Sequence, residues 1–233
     1  MNSTNIFKPI LFNTEMVQAI LEGRKTQTRR ALKISQPFLD YEPEHKFYLR
    51  FIPNDEMGPL AFYSNKPQGF ISAHCAGEVA KYDIGNILWV RETFQESECF
   101  DFEMKNQFVY KANEADFNFA EEFNVKWKPS LFMPKEAARI FLKVTNVRCE
   151  RLQDISEEDA RLEGMERSIT GSYKLYGRHK IKNYRGQNAR FGCPVDSFQT
   201  LWQSINAKKH PWSSNPWVWV YDFERIEKPE NFI

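Results

Sequence analysis

From Gly23 through Leu39 the chain has no acidic residue, yet the start of that stretch packs Arg24, Lys25, Arg29 and Arg30 around the hydroxyls of Thr26 and Thr28. Four cations this close repel one another, so each finds its charged form harder to keep. Whatever fold the chain adopts has two ways of handling them. It can leave them in water as a solvated basic turn. Alternatively it can use them, because a lysine in such company loses its proton more easily, or stays charged and holds an anion.

The residues before the cluster give it a place. Asn13 is a helix cap, Glu15 falls in the first turn, and Met16, Val17, Ile20 and Leu21 form an apolar stripe. Gly23 then stands where helices commonly end in a left-handed residue. The cluster is therefore a helix exit leading into a strand. Orphan carbonyls at that helix end favour Arg24 and Lys25, which is a structural reason for two of the four charges.

The other elements follow from pattern. Strands are expected over 6–12, 26–34, 69–75, 87–94, 107–112, 139–151 and 217–226, the last with Trp217, Trp219, Tyr221 and Phe223 along one side. In the 87–94 strand, Arg91 and Glu92 point to opposite faces unless the chain bulges. The phase of the 139–151 strand changes near Thr145 and Asn146, which predicts a bulge. Residues 37–67 show no clean period and read as a long loop or irregular insertion. Ser156 opens a short helix that ends at Glu163 and Gly164, where a carboxylate faces the negative end of the helix dipole. Glu22 and Gly23 do the same, so that position alone distinguishes nothing. Asp196 or Ser197 caps a last helix with Phe198, Leu201, Trp202 and Ile205 in the core.

Composition bounds the function. At 233 residues with 42% hydrophobic content the chain can bury a proper core. No apolar run approaches a membrane span and the N-terminus lacks a signal-peptide pattern, so a cytoplasmic location is expected. Cys75, Cys99, Cys149 and Cys193 are far apart and read as free thiols; the four histidines are equally scattered, so no metal or cofactor is expected. Net charge is only +1, but it is polarised. Acids dominate 92–122, whereas 167–195 carries Arg167, Lys174, Arg178, Lys180, Lys182, Arg185 and Arg190 and no acid. Tyr173, Tyr176 and Tyr184 interleave with those cations. That is the composition of a strand-binding arm, or of a solvated loop whose tyrosines pack locally. Trp127 and Lys128 likewise fit a base-stacking and phosphate-binding pair, or simple packing of a Trp near Pro129.

Gly23-x-Lys25-x-x-Thr28-x-Arg30 resembles the G-x-K-x-x-[ET]-x-R signature of ASCH domains, β-barrels related to the PUA fold. The blocks that follow in order agree: Leu88-Trp-Val-Arg-Glu-Thr-Phe94, Trp127-Lys-Pro-Ser130, Arg151-Leu-Gln-Asp-Ile-Ser-Glu-Glu-Asp-Ala160 and Asn215-Pro-Trp-Val-Trp-Val220. Together they resemble the longer ASCH proteins of phages and prophages, in which a morphogenesis role is a further reading. The resemblance implies an α+β fold, a small PUA-like β-barrel with short flanking helices. It would be one domain over 5–228, with large insertions at about 37–80, 95–127 and 166–195. It also implies that RNA or a modified nucleoside is the partner, DNA being possible, bound in a cleft at the barrel mouth.

Some compact ASCH proteins are amidohydrolases that deacetylate N4-acetylcytidine with a Lys, a Thr and a Glu. The resemblance places these on Lys25, Thr28 and Glu163. Arg24, Arg29, Arg30, Trp89, Arg91, Glu92, Trp127, Lys128, Ser130, Lys174, Arg178, Lys180, Lys182 and Arg185 are the candidate ligand-binding residues. In a regular strand Lys25 and Thr28 face opposite ways. Convergence therefore requires the chain still to be turning at Lys25. A non-catalytic RNA-binding module is the competing reading, and the long basic segment favours it.

Overall fold

The structure, a computed structural model, describes residues 6–32, 47–51, 60–64, 70–71, 80–96, 108–122, 124, 126–176 and 192–232. Strand β1 (Phe7–Leu11) leads into helix α1 (Thr14–Leu21), whose first turn is capped as expected: the Asn13 side chain accepts from the Met16 amide at 2.8 Å. Met16, Val17, Ala19 and Ile20 are buried. Gly23 takes the left-handed conformation at φ +74° and ends the helix. The chain then enters β2 (Gln27–Ala31), shorter than the expected strand.

Residues 37–67, read as irregular, contain β3 (Phe47–Phe51) and β4 (Leu60–Ser64), paired antiparallel, with β5 (Phe70–Ile71) completing a small sheet. Aromatic and apolar residues with strand preference outweigh the missing period there. The expected 87–94 strand breaks at Glu92 and Thr93 into β6 (Ile87–Arg91) and β7 (Phe94–Glu96). β8 (Phe108–Tyr110) pairs with β7, and α2 (Glu114–Glu122) follows.

β9 (Phe141–Arg151) is followed by α3 (Glu157–Leu162), then α4 (Pro194–Asn206) and β10 (Trp217–Ile226). Asn146 pairs with Asp222 and Val144 with Phe223, so Thr145 is the extra residue of a bulge, where the change of phase placed it. Helix α4 begins earlier than expected. Pro194 takes the first turn, where its missing amide costs nothing, and Ile205 near the far end is 50% exposed rather than core.

The main sheet has the order β1-β6-β9-β10-β2, with β1 and β6 parallel and the other pairs antiparallel. The expected closed barrel is not found among the described residues: β1 and β2 are edges without a ladder between them. They are joined by a side chain, Arg30 Nη2 donating to the Leu11 carbonyl at 2.9 Å. The fold is a mixed α+β architecture with a five-stranded sheet. The main core lies along β6, β9 and β10 and extends to α1 and α4. A smaller one gathers Phe94, Met133, Phe141 and Phe232. No helix among the described residues is long and apolar enough to cross a membrane.

Candidate functional site

Two helices end on a Glu-Gly pair, and only one of them builds a site. At the end of α1, Glu22 stays exposed and pairs with Arg24. At the end of α3, Glu163 is the C-cap and is 2% exposed. Of the capping box expected at the other end of α3 one half is present, Ser156 Oγ accepting from the Asp159 amide at 3.0 Å, while the Asp159 carboxylate accepts from the Ser156 hydroxyl, also at 3.0 Å, rather than from its backbone amide. Beyond Glu163 the chain turns through Gly164 at φ +91°.

That turn lets the two helix exits meet. Lys25 and Glu163 pair as an isolated antiparallel bridge, the Thr26 amide donates to the Leu162 carbonyl at 2.9 Å, and Arg24 Nη1 donates to the Gly164 carbonyl at 2.6 Å. The Lys25 side chain is fully buried. Its Nζ donates to Glu163 Oε2 at 2.6 Å, to the Gln27 carbonyl at 2.7 Å and to the Glu163 carbonyl at 3.0 Å. Burial pushes the Lys25 ammonium pKa below its ordinary value; the Glu163 carboxylate opposes this, while Arg30 and Arg29 reinforce it.

Strand β2 divides the rest of the basic cluster by its two-residue period. Gln27 and Arg29 lie on one face with Asp222 of β10 and with Arg148 and Glu150 of β9; Asp159 of α3 closes over them. Arg29, 3% exposed, donates from Nη2 to Glu150 Oε1 at 2.6 Å, and from Nη1 to Gln27 Oε1 at 2.5 Å and to Glu163 Oε1 at 3.2 Å. Arg148 reaches Glu150, Asp159 and Asp222. Burial alone would raise the Asp159 pKa, but hydrogen bonds from Gln27 and Ser156 and the charges of Arg29 and Arg148 bring it below its ordinary value. The stretch that could have been a solvated basic turn is therefore largely internal, paired with carboxylates from distant strands.

Thr28 and Arg30 occupy the opposite face. Thr28 is 1% exposed and stands across from Tyr221; Arg30 stands across from Trp219, with Cys149 next in the row. Arg30 lies 5.2 Å from the centre of the Phe12 ring and Lys25 Nζ lies 5.7 Å from the same ring. Burial lowers the Arg30 pKa, with Tyr82, Glu163 and Tyr221 opposing. The structure thus joins Lys25 to Glu163 directly, and no hydrogen bond among the described residues links either to the Thr28 hydroxyl.

A second group of candidates gathers beyond β6. Arg91 donates to the Leu131 carbonyl, stacks 5.6 Å from the Trp89 ring and leaves its Nε buried without a partner. Glu92 turns the other way, 1% exposed, and accepts from Arg139 Nε and Nη2, both at 2.9 Å. Lys128 bridges to Phe94 through the backbone and its ammonium pairs with Glu96 at 2.7 Å. Trp127 is half-buried with its indole nitrogen unpartnered, and Ser130 opens a single helical turn, Ser130–Phe132.

Of the basic arm, Lys174 pairs with Glu166 at 2.9 Å and Glu15 at 3.5 Å. Burial would lower its pKa, but those carboxylates outweigh it and raise it. Tyr173 and Tyr176 are core residues, 4% and 5% exposed, rather than stacking platforms. Arg178, Lys180, Lys182, Tyr184 and Arg185 lie outside the described residues.

The sequence pattern assigned no site role to Gln27, Arg148, Glu150, Asp159, Asp222 or Trp219, the last expected only along one side of its strand. A signal existed for three of them. Arg148 and Glu150 share a face of their strand, and Asp222 interrupts an aromatic strand. Comparison of the chain with family models, curated proteins and solved structures gives no match.

Proposed function

We propose that this chain is an ASCH-like protein that binds RNA or a modified nucleoside and hydrolyses an N4-acylcytidine amide at Lys25 and Glu163. The observation that carries the reading is the 2.6 Å contact between Lys25 Nζ and Glu163 Oε2, both groups buried, with burial lowering the proton affinity of the amine. A lysine so placed gives up its proton more readily than a solvated one, with the carboxylate beside it as the partner for the transfer. Lys25 falls on the motif that carries the family resemblance, and Glu163 lies three residues beyond the Arg151–Ala160 block.

In this reading a water molecule, oriented by the Thr28 hydroxyl, attacks the acyl carbon while its proton passes to Lys25 or Glu163. The Lys25 ammonium, once protonated, stabilises the tetrahedral oxyanion. The carbon–nitrogen bond then breaks, the cytosine nitrogen takes up the stored proton, and the products are the free carboxylic acid and cytidine. Glu163 fits a proton acceptor and relay rather than a dedicated acid, because both of its oxygens already accept from cations.

A non-catalytic binding module is supported by a specific observation as well. The three polar contacts of Lys25 use all three of its donors, as in an ammonium that is purely structural. Turnover of N4-acetylcytidine decides between them. Wild type should release acetate, and Lys25→Met and Glu163→Gln should each lose at least ~100-fold in kcat, the scale of general acid–base catalysis, with folding checked by circular dichroism. No turnover by wild type, together with salt-dependent RNA binding, would leave the binding module standing.

A further inference from the structure

Trp219 has an indole N–H that the surrounding fold does not use. The residue is 2% exposed, and its Nε1 is buried without a hydrogen-bond partner. A buried donor left unmade costs roughly 1–3 kcal/mol, so such groups are rare unless something outside the protein completes them. Its position gives this one a context. Trp219 stands directly across from Arg30, and Tyr221, two residues on, stands across from Thr28, so all four side chains share one face.

That face has donors in surplus. Arg30 has a single hydrogen bond among the described residues, to the Leu11 carbonyl, and the Thr28 hydroxyl has none. Buried acceptors without a partner are not found there; Gln95 Oε1 in β7 is elsewhere. The walls are flat and apolar: Trp219 and Tyr221 stack with ring centres 6.5 Å apart, Tyr82 meets Tyr221 edge-on at 5.1 Å, and the Phe12 ring lies beneath both Arg30 and Lys25. Such a surface complements an uncharged planar ring that offers a carbonyl oxygen.

We propose that Trp219 and Arg30 form a specificity site that reads the ring carbonyl of a 2-oxopyrimidine, while the acyl end of the same ligand meets Lys25. This deepens the hydrolase reading and rests on it. Trp219 contributes recognition rather than chemistry: its N–H pairs with the oxygen between the two ring nitrogens, which tells a cytosine-type ring from one lacking that oxygen. Because the N–H is shielded from solvent, the ligand reaches it by displacing the Arg30 side chain. Arg30 is half-buried and tethered by one hydrogen bond, so it can give way and close again over the ring.

Nitrogen-15 labelling of the tryptophan indoles gives a direct readout, with Trp219→Phe identifying the resonance. Titration of wild type with N4-acetylcytidine should move the Trp219 indole N–H downfield and slow its exchange. Wild type should prefer N4-acetylcytidine by at least about ten-fold over the analogue lacking the 2-oxo group, since the indole bond alone contributes up to about that factor and the Arg30 guanidinium adds to it. Trp219→Phe should reduce that preference several-fold, read as the ratio of the two affinities so that any change in the stacking wall common to both compounds cancels. Arg30→Met is the second variant, should the first fail to fold, and must weaken the same preference. If wild type binds the nucleoside and both variants keep the preference, the inference is overturned and the hydrolase reading survives. An indole N–H that is protected and unmoved by ligand would mean a resident buried water only, and overturns it too. If wild type binds neither compound, the reading beneath it fails as well.

Discussion

The meeting of the two helix exits depends on Gly164, and two alanine substitutions measure how much. A Cβ built on Gly164 would lie 2.9 Å from Ala19 Cβ and 2.9 Å from Lys25 Cβ, distances at which something must shift. The backbone there is also left-handed, at φ +91°. Gly23 supplies the control: its φ is +74°, and an added Cβ would meet nothing within 4 Å. Both replacements carry the left-handed penalty of about 1–2 kcal/mol. Only Gly164→Ala adds overpacking, about 1–3 kcal/mol, since Ala19 belongs to a buried helix face and cannot swing aside. The expected losses are about 3 kcal/mol for Gly164→Ala and about 1.5 kcal/mol for Gly23→Ala. At about 3 °C per kcal/mol for a chain of this size, the melting temperatures should fall by about 9 °C and about 4 °C. Urea denaturation of both variants checks the free energies directly. Equal losses would mean that α1 and the turn after α3 do not approach as described, and the geometry of the Lys25–Glu163 pair would fall with it.

Lys25 gives a pH signature. Its folded-state pKa lies below the ordinary 10.5, so between the two values the unfolded chain holds more protons and stability rises with pH. The stability difference between wild type and Lys25→Met, measured by urea denaturation from pH 7 to 10, should therefore shift in favour of wild type as pH rises; a flat difference would refute the lowered value. Tyr110 acts in the opposite sense at higher pH. Burial raises its pKa to about 12, so the folded state keeps a proton that the unfolded state sheds above 10, and Tyr110→Phe should reduce alkaline unfolding between those values. Arg139→Met strips the bidentate partner from a buried Glu92 and should cost about 3–5 kcal/mol in the same assay. Asn13→Ala removes the cap of α1 and should cost about 1 kcal/mol.

Local signals were legible where a residue acts through its own neighbours. The Asn13 and Ser156 caps, the stop at Gly23, the bulge at Thr145 and the end of α3 at Glu163 all follow from short-range chemistry, and each stands where the pattern placed it. The fate of the basic cluster was not legible, because its partners arrive from far along the chain: Glu150 from β9, Asp159 from α3 and Glu163 from the end of α3. Glu22 and Glu163 show the limit clearly. Both precede a glycine at a helix end, yet one remains in water beside Arg24 and the other is buried against Lys25. What separates them is the path of the chain afterwards, a tertiary fact. The same holds for the segment around 47–64, where strand preference was present but no alternation marked which face is covered.

The four cations end in two distinct duties. Arg24 and Arg29 tie elements together, Arg24 to the turn after α3 and Arg29 to carboxylates of β9 and α3. Lys25 and Arg30 are left beside the Phe12 ring. A buried ion network is a poor way to gain stability, since desolvating its charges cancels most of the attraction and apolar residues of similar volume often do better. Orientation is what this one supplies. Arg29 holds Glu163 Oε1 at 3.2 Å, which fixes the plane of the carboxylate and leaves Oε2 aimed at Lys25 at 2.6 Å. Without that second hold the carboxylate could rotate about its terminal bond, and a base with a wandering partner loses the alignment proton transfer needs. On the proposed hydrolase reading Arg29 is therefore a positioning residue, in direct contact with the carboxylate it orients.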